Sequence, residues 1–231
     1  MKGSKNPLKL FRSYYLYMNQ NLTKKESVFS IFVFLLYCFI MSFVNNLGEI
    51  NVLGISFSRP IPALCCSILL FLLLCFGKRK KLFTIGVTTG DKKSALVLLV
   101  IMLTAAFLVN IQYILAGKVP LIAFFSNAIF YFLLFFFTEE FIFRGYLWPR
   151  FMKMLGLHAG TILCGSLYGL MMLTNPGNYE TLSFLTIVNT LFAGIILQYI
   201  FSFLYIKLGN LYFSAILHAG FYLFSLSAIE W

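Results

Sequence analysis

The sequence predicts an all-α protein, a polytopic transmembrane helical bundle of about seven spans. Of its 231 residues, 61% are hydrophobic and 11% are charged, against roughly 45–50% and 25% in soluble domains. This composition excludes a soluble globular domain. It also excludes intrinsic disorder, which needs few apolar residues and a high net charge. A spanning helix needs about 20 mostly apolar residues, so the chain has room for about seven spans and for no separate soluble domain.

Seven apolar runs account for these spans. In chain order they are Val28–Val44, Ile61–Phe76, Ala95–Leu115, Leu121 to the Glu139–Glu140 pair or beyond, Leu157–Leu173, Phe184–Ile206 and Leu211–Ile229. Each run is long enough to cross a bilayer with modest tilt, although the second is marginal. We therefore expect two regions, a basic cytoplasmic or interfacial segment over residues 1–26 and a transmembrane domain over residues 27–231.

The loops between these runs fall into two sets by charge. Lysines and arginines gather before the first span and between spans two and three, four and five, and six and seven. The alternate loops hold Arg59 and Lys118 as their only cations, together with Glu49, Glu180 and Glu230. Because positive residues collect on the inner side of a membrane, we predict a cytoplasmic N-terminus and an outside C-terminus. The net charge of +11 then indicates contact with anionic membrane lipids, and we expect no nucleic-acid partner.

The basic segment that precedes the first apolar run lacks the apolar core and the cleavage site of a signal peptide. Residues 8–18 within it have two open interpretations. They form a short interfacial helix with Leu8, Phe11, Tyr15 and Met18 on its apolar face, or they are a disordered basic tail. This compact multi-span pattern fits a multi-pass protein of a bacterial cell membrane.

A charge cluster continues the fourth apolar run at Thr138–Arg144. An ionised side chain in the hydrocarbon costs roughly 2.5–3.5 kcal/mol on insertion scales, so charges there indicate function. Glu140 and Arg144 are four residues apart and share a helix face, whereas Glu139 points about 100° away. One acid can therefore pair with Arg144 while the other faces a cavity as a general base. A charge cluster at the cytoplasmic end of a helix is an equally good interpretation.

His218 is the second polar side chain inside a predicted span. It lies about two turns from the cytoplasmic start of the seventh span, roughly 10 Å deep, on the same inner half of the membrane as the two acids. A lone histidine in an apolar helix is more often a core residue whose ring nitrogens have hydrogen-bond partners than a functional residue. The other histidine, His158, lies near the cytoplasmic mouth of the fifth span, and we interpret it as interfacial.

Several stretches have the order and spacing of motifs from one membrane family. They are Glu139–Arg144 as EExxxR, Phe192–Leu197 as a glycine segment in the sixth span, Leu208–Leu211 as the turn after it, and Ser214–His218 as a last motif. Together they cover about residues 120–230 and resemble the CPBP family of CAAX-prenyl proteases and bacteriocin-processing or immunity proteins. The resemblance implies an all-helical intramembrane bundle that acts on prenylated or peptide substrates. In that family a motif glutamate activates water with help from histidines, and the last motif stabilises the oxyanion.

Two positions depart from the family pattern. The family's second motif is FxxxH, which aligns here with Tyr168–Met172, so that Met172 replaces the histidine. Tyr222 stands where the last motif has Asn or Asp. A thioether cannot act as a base and is not among the usual zinc ligands. His158 cannot substitute, since it lies about 21 Å from Met172 along one helix. We therefore expect no zinc and no other cofactor.

Two functions remain open from the sequence. The first is a catalytically degenerate CPBP-like protein that binds a transmembrane or lipidated partner as a regulator, assembly factor or immunity protein. Its cavity would be lined by Tyr168, Met172 and Tyr222. The second is an active intramembrane CAAX-type endopeptidase with Glu140 as its general base, in a site completed by three other side chains, Glu139, Arg144 and His218. A carrier or channel would need charges from several spans and helices broken at the midplane, which the sequence does not have.

Overall fold

The structure is a computed structural model of the chain. It describes residues 12–16, 22–45, 50–52, 55–57, 92–118, 120–129, 131–132, 136–173, 183–208 and 210–226. Its helices are α1 (residues 12–16), α2 (Lys24–Asn45), α3 (Lys92–Leu115), α4 (Leu121–Ile129), α5 (Phe136–Glu140), α6 (Trp148–Leu155), α7 (Leu157–Leu173), α8 (Phe184–Leu208) and α9 (Leu211–Leu226). A π-helical segment, Phe141–Leu147, joins α5 to α6. The helical fold class is therefore confirmed.

One short hairpin departs from the all-α prediction. Strands β1 (Ile50–Val52) and β2 (Ile55–Phe57) pair antiparallel, with Asn51 opposite Ser56 and Ile50 opposite Phe57. Apolar residues alternate with one polar residue in each strand, which is the period-two pattern of a strand rather than of a helix. The hairpin lies in the predicted loop after the first span, and it leaves the helical architecture unchanged.

Two helices within the described ranges are long and apolar enough to cross a membrane, Lys93–Leu115 and Phe184–Leu208. Ser27–Phe39, Leu157–Leu173 and Leu211–Gly220 are apolar but shorter. Many large apolar side chains of α3, including Leu96, Val100 and Leu108, are exposed, as expected of a lipid-facing helix surface. The second predicted span lies outside the described residues, and the number of spans and their orientation stay predictions.

The helical backbone runs without a break from Phe136 through the π segment to Leu155. The Trp148 N–H bonds to the carbonyl of Phe143, five residues earlier, as in a π-helix. Pro149, which has no N–H for the carbonyl of Gly145, follows directly. The helix ends where Gly156 adopts a φ of 86°, a conformation that glycine adopts at little cost. The helix that carries the glutamate pair therefore extends beyond it, whereas residues 130 and 133–135 of the fourth apolar run lie outside the described residues.

Helices α7 and α8 touch backbone to backbone at three glycines. A Cβ atom on Gly165 would lie 2.6 Å from Cα of Ile195, and one on Gly169 would lie 2.6 Å from the carbonyl oxygen of Thr190. Gly194 of α8 faces both glycines of α7. Small residues four apart let membrane helices approach closely. This contact sets the position of two aromatic residues of the site, Tyr168 on α7 and Phe201 on α8.

The N-terminal helix α1 is anchored by Tyr14. Its ring stacks on Trp148 at 5.2 Å between centroids, and its hydroxyl donates a hydrogen bond of 3.3 Å to the hydroxyl of Tyr205. Trp148 in turn donates to the hydroxyl of Thr161 at 2.9 Å. The helix was one of two open interpretations for this segment. The structure describes it over residues 12–16, and Leu8, Phe11 and Met18 of the predicted apolar face lie outside the described residues. Tyr14, which was not placed on that face, is the most buried side chain of α1, because packing against α6 and α8 decides which side is covered.

We expect the change Tyr14→Ala to lower the free energy of unfolding by about 2–4 kcal/mol, because it removes a stacked ring and leaves a cavity beside Trp148. Thermal unfolding in detergent measures this loss. Leu16→Ala is the matched control, since the Leu16 side chain on the same helix is 51% exposed. Equal melting temperatures for the two variants would contradict the anchoring role of Tyr14.

Candidate functional site

The predicted polar residues come together between α5, the π segment, α7 and α9. Glu139 and Glu140 end α5, and Arg144 lies at the middle of the π segment. Tyr168 comes from α7 and His218 from α9. All five are buried. Helices far apart in the sequence therefore build one enclosed polar site.

Glu140 and Arg144 form a buried ion pair. Nη1 of Arg144 lies 2.9 Å from Oε1 of Glu140, and both side chains are fully enclosed. The pairing predicted from their spacing is present. The other carboxylate oxygen, Oε2, is buried with no hydrogen-bond partner among the described residues. A buried pair of this kind is costly to break, because either partner alone would be an uncompensated charge.

His218 joins this pair to Tyr168. Its Nδ1 atom lies 3.2 Å from Oε1 of Glu140, and its Nε2 atom lies 2.7 Å from the hydroxyl of Tyr168. Nδ1 is also 4.0 Å from Oε2 of Glu139, which is beyond hydrogen-bond distance. Both ring nitrogens are therefore engaged inside the protein. Together the side chains form one polar chain, Arg144–Glu140–His218–Tyr168, which we call the polar relay.

Aromatic rings enclose the polar relay. The His218 ring centroid lies 4.1 Å from that of Phe136 and 5.2 Å from that of Phe201. The Arg144 guanidinium lies over the rings of Tyr168 and Phe201, at 4.5 and 5.1 Å from their centroids. Such cation–π contacts partly replace the water that the guanidinium loses on burial. The surroundings have a low dielectric constant, which strengthens each polar contact within the relay.

Access to the site differs between the two acids. The side chains of His218 and Glu139 are 11% and 7% exposed, whereas those of Glu140 and Arg144 are fully enclosed. Glu139 and His218 are therefore buried but slightly more exposed than the other two side chains. The predicted pairing of one acid with Arg144 is present, and the cavity beside the other acid stays a prediction.

The structure places the three predicted cavity residues in different surroundings. Tyr168 is fully buried within the polar relay, whereas Met172 is partly buried and packs against the core. Tyr222 belongs to α9, but its side chain lies outside the described residues. Within the described ranges, no three His, Cys, Asp or Glu side chains are grouped so as to hold a metal ion.

Two features of the site were missed by sequence reasoning. One is the bond between Tyr168 and His218, which lie 50 residues apart. The other is the aromatic enclosure by Phe136 and Phe201. Neither has a local signal, since phenylalanine is abundant throughout the chain, at 28 residues. The FxxxH-like alignment was the one hint, because it singled out Tyr168.

Residues 120–224 match the family described as Type II CAAX prenyl endopeptidase Rce1-like. The match contains every candidate site residue, from Glu139 to Tyr222. It confirms the resemblance to the CPBP family that the motifs predicted, and that family is membrane-embedded. Comparison with curated proteins and with solved structures found no significant match.

Proposed function

We propose, on the premise that residues 120–224 form an Rce1-like region, that this protein is a catalytically degenerate intramembrane protein. Its cavity, bordered by Glu139, His218 and Met172, binds a transmembrane or lipidated protein partner. The protein then acts as a regulator, an assembly factor or an immunity protein. The observation that carries this proposal is the polar relay, in which the side chains that could do chemistry bond to one another.

The enclosure of Glu140 supports this proposal. A general base must come within about 2.6–3.2 Å of the proton that it abstracts, directly or through one water. Oε1 of Glu140 contacts Arg144 and His218, and the whole side chain is closed off from the surface. This carboxylate has the position of a structural ion-pair partner. It serves to hold α5, the π segment and α9 together.

The methionine at position 172 supports the same proposal. It stands where the family pattern has a histidine, and a thioether neither accepts nor donates a proton at neutral pH. General acid–base assistance contributes typically 10²–10⁴-fold to a rate. His218 is then the one histidine left in the site, and both of its nitrogens are engaged. A partner can fill such a cavity without being cleaved.

The second candidate function is an active CAAX-type endopeptidase, favoured by the intact EExxxR motif. The sequence assigned its general base to Glu140. The geometry favours Glu139 for that role, because its side chain keeps 7% exposure while Glu140 is fully enclosed and paired with Arg144. Oε2 of Glu139 and Nδ1 of His218 are 4.0 Å apart. In this alternative they would flank an attacking water.

We assign the protein to a bacterial cell membrane as a multi-pass protein with a cytoplasmic N-terminus. The loop charges support the cytoplasmic N-terminus, since lysines and arginines gather on alternate loops, and the bacterial origin is proposed from the family resemblance alone. Anionic lipids are its expected surface partners. With this orientation the site lies in the inner half of the membrane, where a lipidated cytoplasmic protein or a spanning helix can reach it.

Affinity purification tests the choice between the two functions. Wild type and Glu139→Gln are purified in mild detergent, and co-purifying proteins are identified by mass spectrometry, including their new termini. Glu139→Gln is used because Glu140→Gln would leave Arg144 unpaired in the core. We expect the same intact, near-stoichiometric partner with both proteins. Fragments with wild type and the intact protein with Glu139→Gln would establish a peptidase instead.

A pair of tryptophan variants tests whether the cavity holds the partner. Met172→Trp adds bulk at the predicted cavity, whereas Leu170→Trp adds the same bulk two residues away, at an exposed position of α7. We expect at least a tenfold loss of the co-purifying partner for Met172→Trp and no loss for Leu170→Trp. Full retention by Met172→Trp would contradict binding in the cavity.

A further inference from the structure

Tyr168 has a hydroxyl at a position where the FxxxH pattern has phenylalanine. The side chain is fully buried, and its hydroxyl lies 2.7 Å from Nε2 of His218. Its ring packs edge-on against Phe143 at 5.0 Å and carries the Arg144 guanidinium on its face. These contacts fix the ring, so the hydroxyl has one direction in which to bond. The packing around Tyr168 therefore fixes its contact with His218.

The proton positions in the polar relay follow from the partners of each atom. Oε1 of Glu140 forms an ion pair at 2.9 Å with the Arg144 guanidinium, which is always charged, so the pair favours an ionised carboxylate, a group that only accepts hydrogen bonds. Nδ1 of His218 faces the same oxygen at 3.2 Å and must donate to it. Nδ1 therefore carries a proton. Nε2 is then unprotonated and can accept a hydrogen bond from the hydroxyl of Tyr168.

We propose that Tyr168 is a positioning residue whose hydroxyl donates to Nε2 of His218 and holds this histidine as the neutral tautomer protonated on Nδ1. In this state Nε2 carries no proton to donate to an incoming carbonyl, and its lone pair is occupied by the hydrogen bond from Tyr168. The hydroxyl of Tyr168 thus keeps His218 out of acid–base chemistry. This role of Tyr168 is independent of the proposed function, because it concerns the proton positions on His218 alone.

Charge balance supports the neutral form. Arg144 and Glu140 already cancel, and the ring neighbours of His218 among the described residues are Phe136, Phe201 and Tyr168. In the same part of the chain, Glu139 also faces the imidazole, and at 4.0 Å it makes no hydrogen bond with Nδ1. An added proton on Nε2 would be a further buried charge with no bonded carboxylate of its own. Donation from a neutral tyrosine avoids that cost.

Nitrogen-15 NMR of the imidazole rings tests the inference directly. The chain has two histidines, so protein labelled at histidine gives two ring systems, and His158→Gln assigns the remaining one to His218. The chemical shifts distinguish protonated from unprotonated ring nitrogens. They therefore separate the two neutral tautomers from the doubly protonated ring. We expect a protonated Nδ1 and an unprotonated, hydrogen-bonded Nε2 in wild-type protein near neutral pH. A ring protonated on Nε2, alone or together with Nδ1, would overturn the proposal.

Two phenylalanine variants complete the test. Tyr168→Phe removes one hydroxyl, and we expect the Nε2 signal of His218 to shift to that of a nitrogen without a hydrogen bond. Tyr199→Phe is the control, because the Tyr199 hydroxyl lies 3.5 Å from Nδ1 of His158 and belongs to the other histidine. An unchanged His218 spectrum in Tyr168→Phe would refute the positioning role. The wild-type tautomer decides the question even if Tyr168→Phe does not fold.

Discussion

The change Arg144→Ala is expected to lower the free energy of unfolding by about 3–5 kcal/mol, enough to reduce the amount of folded protein in the membrane. The fully enclosed Glu140 would lose the guanidinium that lies 2.9 Å from its Oε1 atom. Among the residues that the structure describes, it would keep His218 as its hydrogen-bond partner, at 3.2 Å. Unfolding by titration with a denaturing detergent measures the loss.

A double-mutant cycle separates the ion pair from the loss of packing. Arg144→Ala, Glu140→Ala and the double variant are compared with wild type under the same conditions. We expect the double variant to be about 1–3 kcal/mol more stable than the sum of the single losses predicts, because it leaves no unpaired buried charge. Strictly additive losses would show that Arg144 acts through its contacts with Tyr168 and Phe201 instead.

The change Gly194→Val is expected to cost roughly 3 kcal/mol or more, at or above the usual range for overpacked cores. A Cβ atom on Gly194 would lie 2.6 Å from the backbone nitrogen and 2.8 Å from Cα of Gly169. Backbone atoms cannot move aside as a flexible side chain can. Helices α7 and α8 would have to separate, which would also pull Phe201 away from Tyr168. The melting temperature in detergent measures the loss.

Ala193→Val provides the matched control for this prediction. Position 193 lies next to Gly194 on α8, but it is exposed rather than buried. The added methyl groups should be accepted there with a change below about 0.5 kcal/mol, as at other surface positions. If Gly194→Val proved as stable as Ala193→Val, the close approach of α7 and α8 would not contribute to the fold.

Local features of the site could be predicted from the sequence. Residues four apart share a helix face, so Glu140 and Arg144 were expected to pair from their spacing alone, and they do. The same periodicity turned Glu139 away from them. Motif spacing also singled out His218 and Tyr168, although it left the roles of both open. These inferences rest on helix geometry, which depends only on residues a few positions apart in the sequence.

The remaining features needed the tertiary structure. Tyr168 meets His218 because α7 and α9 bring together residues that are 50 positions apart, and Tyr14 meets Tyr205 across 191 positions. Contacts of that range depend on how whole helices cross, and the crossing of α7 and α8 is set by backbone contact at glycines. Composition and residue spacing were enough to specify a helical membrane protein with a Glu140–Arg144 pair. The bonds from His218 to both Glu140 and Tyr168 depend on helix packing, which, unlike helix periodicity, is not encoded in neighbouring residues.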